Sequence, residues 1–179
     1  AVSTKKTTHS GAMKKKGNPL VFHQPIVKKI GGKTRQVYVV PSILAADFGS
    51  LSSETKICEE KGCAYLHVDV CDGGDMCSGV LTIGPQAVAA IHRSNPDVKL
   101  DVHLVTKTPG HFIQSLADAG ASRMTVQYET LKKAIDDEGA SDVALYGLVK
   151  AFAMAVEENG MKIGLCVAPE TSIEEVCHL

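Results

Sequence analysis

Tryptophan is absent from this 179-residue chain, and only 4% of its residues are aromatic. Stacking platforms for single-stranded nucleic acid depend on aromatic side chains, so that class of function is disfavoured. No apolar run approaches the roughly 18–20 residues that cross a bilayer, which argues against a transmembrane protein. There is no Cys-x-x-Cys pair among the six cysteines, Cys58, Cys63, Cys71, Cys77, Cys166 and Cys177. With no secretory signal either, they read as reduced, mostly buried thiols in an intracellular, reducing compartment. Acidic residues are missing from one region altogether. Residues 1–36 hold nine Lys or Arg and no Asp or Glu, whereas the remainder holds ten basic and twenty acidic residues, a formal −10.

What is present is ordinary globular material: 44% hydrophobic and 22% charged residues. That balance excludes wholesale disorder, collagen and a disulfide miniprotein, and the length suits one domain. The charge division suggests two parts, a basic N-terminal arm over 1–36 and a folded body over 37–179. The arm is polar, with Gly17-Asn18-Pro19 and Gly31-Gly32, and is expected to be extended because it has too little apolar surface to offset its ordering entropy. It reads either as a solvated tail or as a basic tether to an acidic protein surface, anionic lipid or nucleic acid. The last rests on charge alone and is disfavoured. An acid-free leader bearing Ser and Thr also resembles an organelle-targeting remnant, although Lys dominates over Arg.

From residue 37 the pattern is regular. Short, β-branched, apolar runs at Val37–Leu44, Tyr65–Val70, Lys99–Leu104, Arg123–Tyr128 and Lys162–Val167 predict parallel strands covered on both faces. Helical segments are expected near 50–61, 85–94, 109–119 and 141–159, with another beginning at Thr171. Gly62, Gly120 and Gly160 each follow a predicted helix, where a left-handed C-cap favours glycine. The alternation argues an α/β fold built from parallel β/α repeats. Within Asp142–Glu158, only Lys150 is charged between Val143 and Val156, and Gly147, Ala151 and Ala155 recur every four residues. This helix is either buried in its own domain or a docking face for another protein chain.

Chemistry concentrates on two strands. In Tyr65-Leu66-His67-Val68-Asp69-Val70, alternation puts His67 and Asp69 on one face. Leu100-Asp101-Val102-His103-Leu104 repeats the design, with Asp101 and His103 sharing a face. Active sites of parallel α/β folds gather at the C-terminal strand ends, so His67, Asp69 and His103 are placed to meet at one cation. Two imidazoles and a carboxylate suit zinc, iron or manganese. A lone strand histidine is more often a satisfied core residue; three suitable ligands on neighbouring strands favour the metal.

These stretches carry a resemblance. Val40-Pro-Ser-Ile-Leu-Ala-Ala-Asp-Phe48, Leu66-His-Val-Asp-Val70 with Asp72-Gly73, Thr82-Ile-Gly-Pro85 and Leu100-Asp-Val-His-Leu104 resemble ribulose-phosphate 3-epimerase in order and spacing. Asn159-Gly-Met-Lys-Ile-Gly-Leu165 and Pro169-Glu-Thr-Ser172 resemble its fifth strand and following loop. The resemblance covers about residues 38–179 and implies parallel β/α repeats of the (β/α)8 barrel type, here reaching five units. It implies metal-assisted epimerisation at C3 of pentulose 5-phosphates, with His67, Asp69 and His103 as ligands of a divalent metal. Asp69 would also be one of two catalytic bases, and Ser42 would contact substrate.

The sequence departs from the family pattern in several places. The chain stops at Leu179, so the opposing Asp and most phosphate-binding backbone are expected to be missing, and the chain alone is expected not to turn over. Gly74-Asp-Met-Cys-Ser-Gly79 replaces the usual loop after the second strand. Cys71 and Val105 stand where site-lining Met residues are usual, Gln127 where His is usual, and Glu170 where Gly is favoured. The alternative is therefore a non-catalytic, epimerase-like subunit of a larger assembly. Its contacts would be an open sheet edge, the apolar helix 143–156 and the arm, and the plastid is preferred over the cytoplasm.

Overall fold

A computed structural model describes residues 26–139 and 141–179. The rest of the basic arm, residues 1–25, lies outside the described residues. The arm's last stretch is a hairpin, with β1 (Ile26–Ile30) antiparallel to β2 (Lys33–Val37). Gly31 and Gly32 form its turn with φ of +58° and +76°, the conformation that matches the twist of two-residue hairpins. Lys28 is the register partner of Arg35, and both are exposed.

The body is built on a four-stranded parallel sheet of β3 (Tyr65–Cys71), β4 (Lys99–Val105), β5 (Ala121–Gln127) and β6 (Lys162–Cys166), in sequential order. The helices are α1 (Leu51–Glu60), α2 (Pro85–Ser94), α3 (Ile113–Asp118), α4 (Tyr128–Asp137) and α5 (Asp142–Glu158). Period-two alternation decides where the core sits. Leu66, Val68, Leu100, Val102, Met124 and Val126 are at most 1% exposed and pack with Val88, Ile91 and Leu116 from the helices. Each such side chain contributes about 1.5–3 kcal/mol of burial. The intervening residues, His67, Asp69, Asp101 and His103 among them, occupy the other face and are only half-buried.

Three local expectations are corrected. Of the strand foreseen at Val37–Leu44, Val37 instead closes β2 and the rest is reduced to one bridge, Ser42 beside His67, held by the Ile43 N–H to His67 O (3.0 Å) and the His67 N–H to Pro41 O (2.8 Å). Pro41 has no N–H for the next rung, and the Ile43 carbonyl accepts from the Ala46 N–H instead, at 3.0 Å. Secondly, the strand expected to run to Tyr128 ends at Gln127. Tyr128 opens α4, an unforeseen helix that buries Tyr128, Leu131 and Ile135 at helical spacing. Thirdly, the segment from Thr171 makes only a short 3-10 turn, Ile173–Glu175.

Gly62, Gly120 and Gly160 take φ of +84°, +88° and +79° behind α1, α3 and α5. In α5, Leu145, Phe152 and Val156 face the core, while Val143 (80%), Met154 (61%) and Tyr146 (39%) are exposed. Gly147 and Ala151 lie exposed and Ala155 is half-buried. Among the described residues, no helix is long and apolar enough to cross a membrane.

Candidate metal centre

The register of β3 and β4 assembles the site. Asp69 stands opposite His103 and His67 opposite Asp101, so alternation delivers two imidazoles and two carboxylates to one face of adjacent strands. Asp69 Oδ1 is the meeting point, 3.3 Å from His67 Nε2 and 3.4 Å from His103 Nδ1. Donors held about 2.0–2.1 Å from a tetrahedral cation lie about 3.3 Å apart, which is the spacing seen along these two edges. His67, Asp69 and His103 can each offer a ligand atom within 4.8 Å of the others.

The outward nitrogens decide whether the inward ones are available. His67 Nδ1 donates to Asp101 Oδ2 at 3.0 Å, and His103 Nε2 lies 2.8 Å from Gln127 Oε1. A carboxylate only accepts, so a cation held at Nε2 would leave the His67 proton on Nδ1, facing Asp101; with Nε2 uncoordinated, that nitrogen too faces a carboxylate, Asp69. A lone pair facing a carboxylate oxygen calls for a positive charge between them. The His67 pKa is raised, chiefly by the Asp101 hydrogen bond and against partial burial, with Asp69 adding to the rise, so a proton can supply that charge as well as a metal ion. Asp101 is held below the usual carboxylate range by that same bond, with Arg123 Nη1 3.7 Å away. This donor set fits a divalent cation of the zinc, iron or manganese type.

The other Asp69 oxygen is left for different work. Oδ2 accepts the Ser42 hydroxyl at 3.1 Å, and Ser42 Oγ in turn accepts the Leu44 N–H at 3.2 Å. The Asp69 carbonyl accepts the Thr82 hydroxyl at 2.6 Å, and Thr82 Oγ1 accepts the Cys71 N–H at 2.9 Å, pinning the end of β3. The altered loop after β3 is anchored by the Cys77 thiol donating to Val105 O at 3.1 Å and by Lys107 Nζ at 2.7 Å from Asp75. Burial, then the neighbouring Cys77, pushes the Cys71 thiol up to about 11. All six cysteines are free thiols in the structure.

The structure thus brings His67, Asp69 and His103 together, with Ser42 at their edge. Sequence reasoning gave no site role to Asp101, Gln127, Glu129 or Thr82. For Asp101 a signal existed: it shares a face with His103, and in-register pairing puts it opposite His67.

The family model for the ribulose-phosphate 3-epimerase family matches residues 38–179. The chain belongs to that family. Among proteins named ribulose-phosphate 3-epimerase, it is 33% identical over 144 residues to that of Chlamydia trachomatis serovar D, covering 80% of this chain and 54% of the relative. To that of Chlamydia pneumoniae it is 35% identical over 142 residues, covering 79% and 54%. To that of Bacillus subtilis it is 33% identical over 143 residues, covering 80% and 58%. The chain therefore spans about half the length of the curated relatives it matches. Within the ribulose-phosphate 3-epimerase family match lie all four residues that converge in space, Ser42, His67, Asp69 and His103.

Proposed function

We propose that these residues form the metal-binding and single-base side of a site that epimerises pentulose 5-phosphates at C3. The observation that carries this is the pair of imidazole nitrogens aimed at Asp69 Oδ1 while their other ring nitrogens are engaged by Asp101 and Gln127. A bound divalent cation would polarise the substrate oxygens and stabilise the enediolate. Asp69 Oδ2 is the atom that takes the C3 proton, and the Ser42 hydroxyl at 3.1 Å keeps that oxygen oriented and contacts substrate. Inversion needs a second acid on the opposite face. Among the described residues none is assigned that role, and the proposed role is confined to the cation and the Asp69 side of the site.

The test is to supply the purified polypeptide with zinc, iron or manganese and ribulose 5-phosphate, and to follow xylulose 5-phosphate. No conversion is expected. Conversion at ordinary enzymatic rates would overturn the single-sided reading.

A second reading, a non-catalytic subunit bound to other protein chains, is favoured by Val143, Met154 and Tyr146 exposed on α5. A stable monomer in solution would contradict it. The basic, acid-free stretch 1–36 favours an intracellular location, with the plastid preferred because sugar-phosphate pathways run there.

A further inference from the structure

Asp101 and Gln127 both accept from a ligand histidine, yet they are not equivalent. The Asp101 carboxylate can only accept, so whenever Nε2 is engaged by a cation it holds the remaining His67 proton on Nδ1. Gln127 is an amide with one accepting and one donating end, and either end could face His103. Asp69 Oδ1, 3.4 Å from Nδ1, accepts only and by itself favours the proton there, so another group must hold the amide oxygen toward His103.

Glu129, on the first turn of α4, does so. Its Oε1 accepts from the Ala168 N–H at 2.8 Å and from the Thr171 hydroxyl, both in the loop after β6. Its Oε2 accepts from Gln127 Nε2 at 3.3 Å. An acceptor at that position pins the amide nitrogen outward and the amide oxygen toward His103, 2.8 Å from Nε2. His103 must then carry its proton on Nε2, which leaves the Nδ1 lone pair facing Asp69 Oδ1.

We propose that Glu129 is a positioning residue which, through Gln127, selects the His103 tautomer able to hold a cation. This rests on the metal-centre reading above. Glu129 also ties that selection to the loop 168–171, so displacing the loop frees the amide to turn over. With Glu129→Gln, the new amide oxygen keeps the loop bonds while its nitrogen faces Gln127. Gln127 then flips and donates to His103 Nε2, and the proton moves to Nδ1, where it blocks the cation. Exchanging the two residues, Gln127→Glu with Glu129→Gln, restores the polarity. The carboxylate now at position 127 accepts from both neighbours, and the amide now at position 129 serves the loop with its oxygen.

The experiment records the ring 15N shifts of His103 at pH 8 without metal, and Co2+ affinity, in the parent, the single variant and the exchanged pair. Glu129→Gln is expected to move the proton to Nδ1 and to weaken Co2+ binding at least about tenfold. The exchanged pair is expected to reverse both. A single variant that keeps its proton on Nε2, or an exchanged pair that recovers neither property, overturns the proposal. If the proton moves as stated but no form binds Co2+, the relay stands and the metal-centre reading is overturned. Should the single variant fail to fold, the exchanged pair decides alone: its proton must sit on Nε2.

Discussion

Asp69 and His103 are register partners on neighbouring parallel strands, and their side chains meet at 3.4 Å. The same carboxylate oxygen meets His67 at 3.3 Å. Removing any of the three should therefore dismantle one shared centre. His67→Ala, Asp69→Ala and His103→Ala are each expected to lower Co2+ affinity by at least about a hundredfold, beyond the loss typical of the groups that orient ligands. Titration calorimetry or cobalt absorption measures it; a single variant with parental affinity would exclude that residue as a ligand.

Cys71 lines this region, and its thiol is pushed up to about 11. The thiolate is the reactive form, so Cys71 stays protonated and inert at pH 8. Alkylation by iodoacetamide, mapped by mass spectrometry, is expected to label the exposed Cys177 well before Cys71.

Glu129 is held below the usual glutamate range: partial burial opposes this, and the bonds from Thr171 and the Ala168 N–H outweigh it. A depressed folded pKa stabilises the fold above the unfolded value, about 4.3, and that contribution disappears as pH falls through the folded value. Urea unfolding between pH 6 and pH 3 (on the order of ordinary carboxylate titration) should thus show a loss of stability. The loss is expected to shrink in Thr171→Val, which lacks the hydroxyl donor.

Gly164 on β6 faces Thr125 on β5 so closely that a Cβ would lie 3.2 Å from the Thr125 Cβ and closer still to its hydroxyl. Gly164→Ala is expected to cost about 1–3 kcal/mol by overpacking. Pairing it with Thr125→Ala, which removes the hydroxyl, should return part of that loss in the same unfolding measurement.

Much of the site was legible because it depends on alternation, and alternation is local. His67, Asp69 and Asp101, His103 sort to one face of their strands from the pattern alone, and the family motifs supplied their order. The relay through Gln127 and Glu129 was not legible. It depends on α4 beginning at Tyr128, directly after β5, and Tyr128 and Thr130 are residue types that read as strand. The bond from Glu129 to Ala168 spans 39 residues and leaves no trace in local spacing. Likewise, the reduction of 38–44 to one bridge reflects which backbone groups remain free beside His67; Pro41 was a local sign of it, set among residues that otherwise read as strand.

The hairpin ahead of the body carries its own tension. Lys28 faces Arg35 across the pair, and Lys33 lies on that same side of the ribbon. Like charges set opposite one another oppose pairing, and a two-stranded ribbon has little to spare. The pairing of these strands is therefore expected to firm up as salt, above all multivalent anions, screens the facing cations.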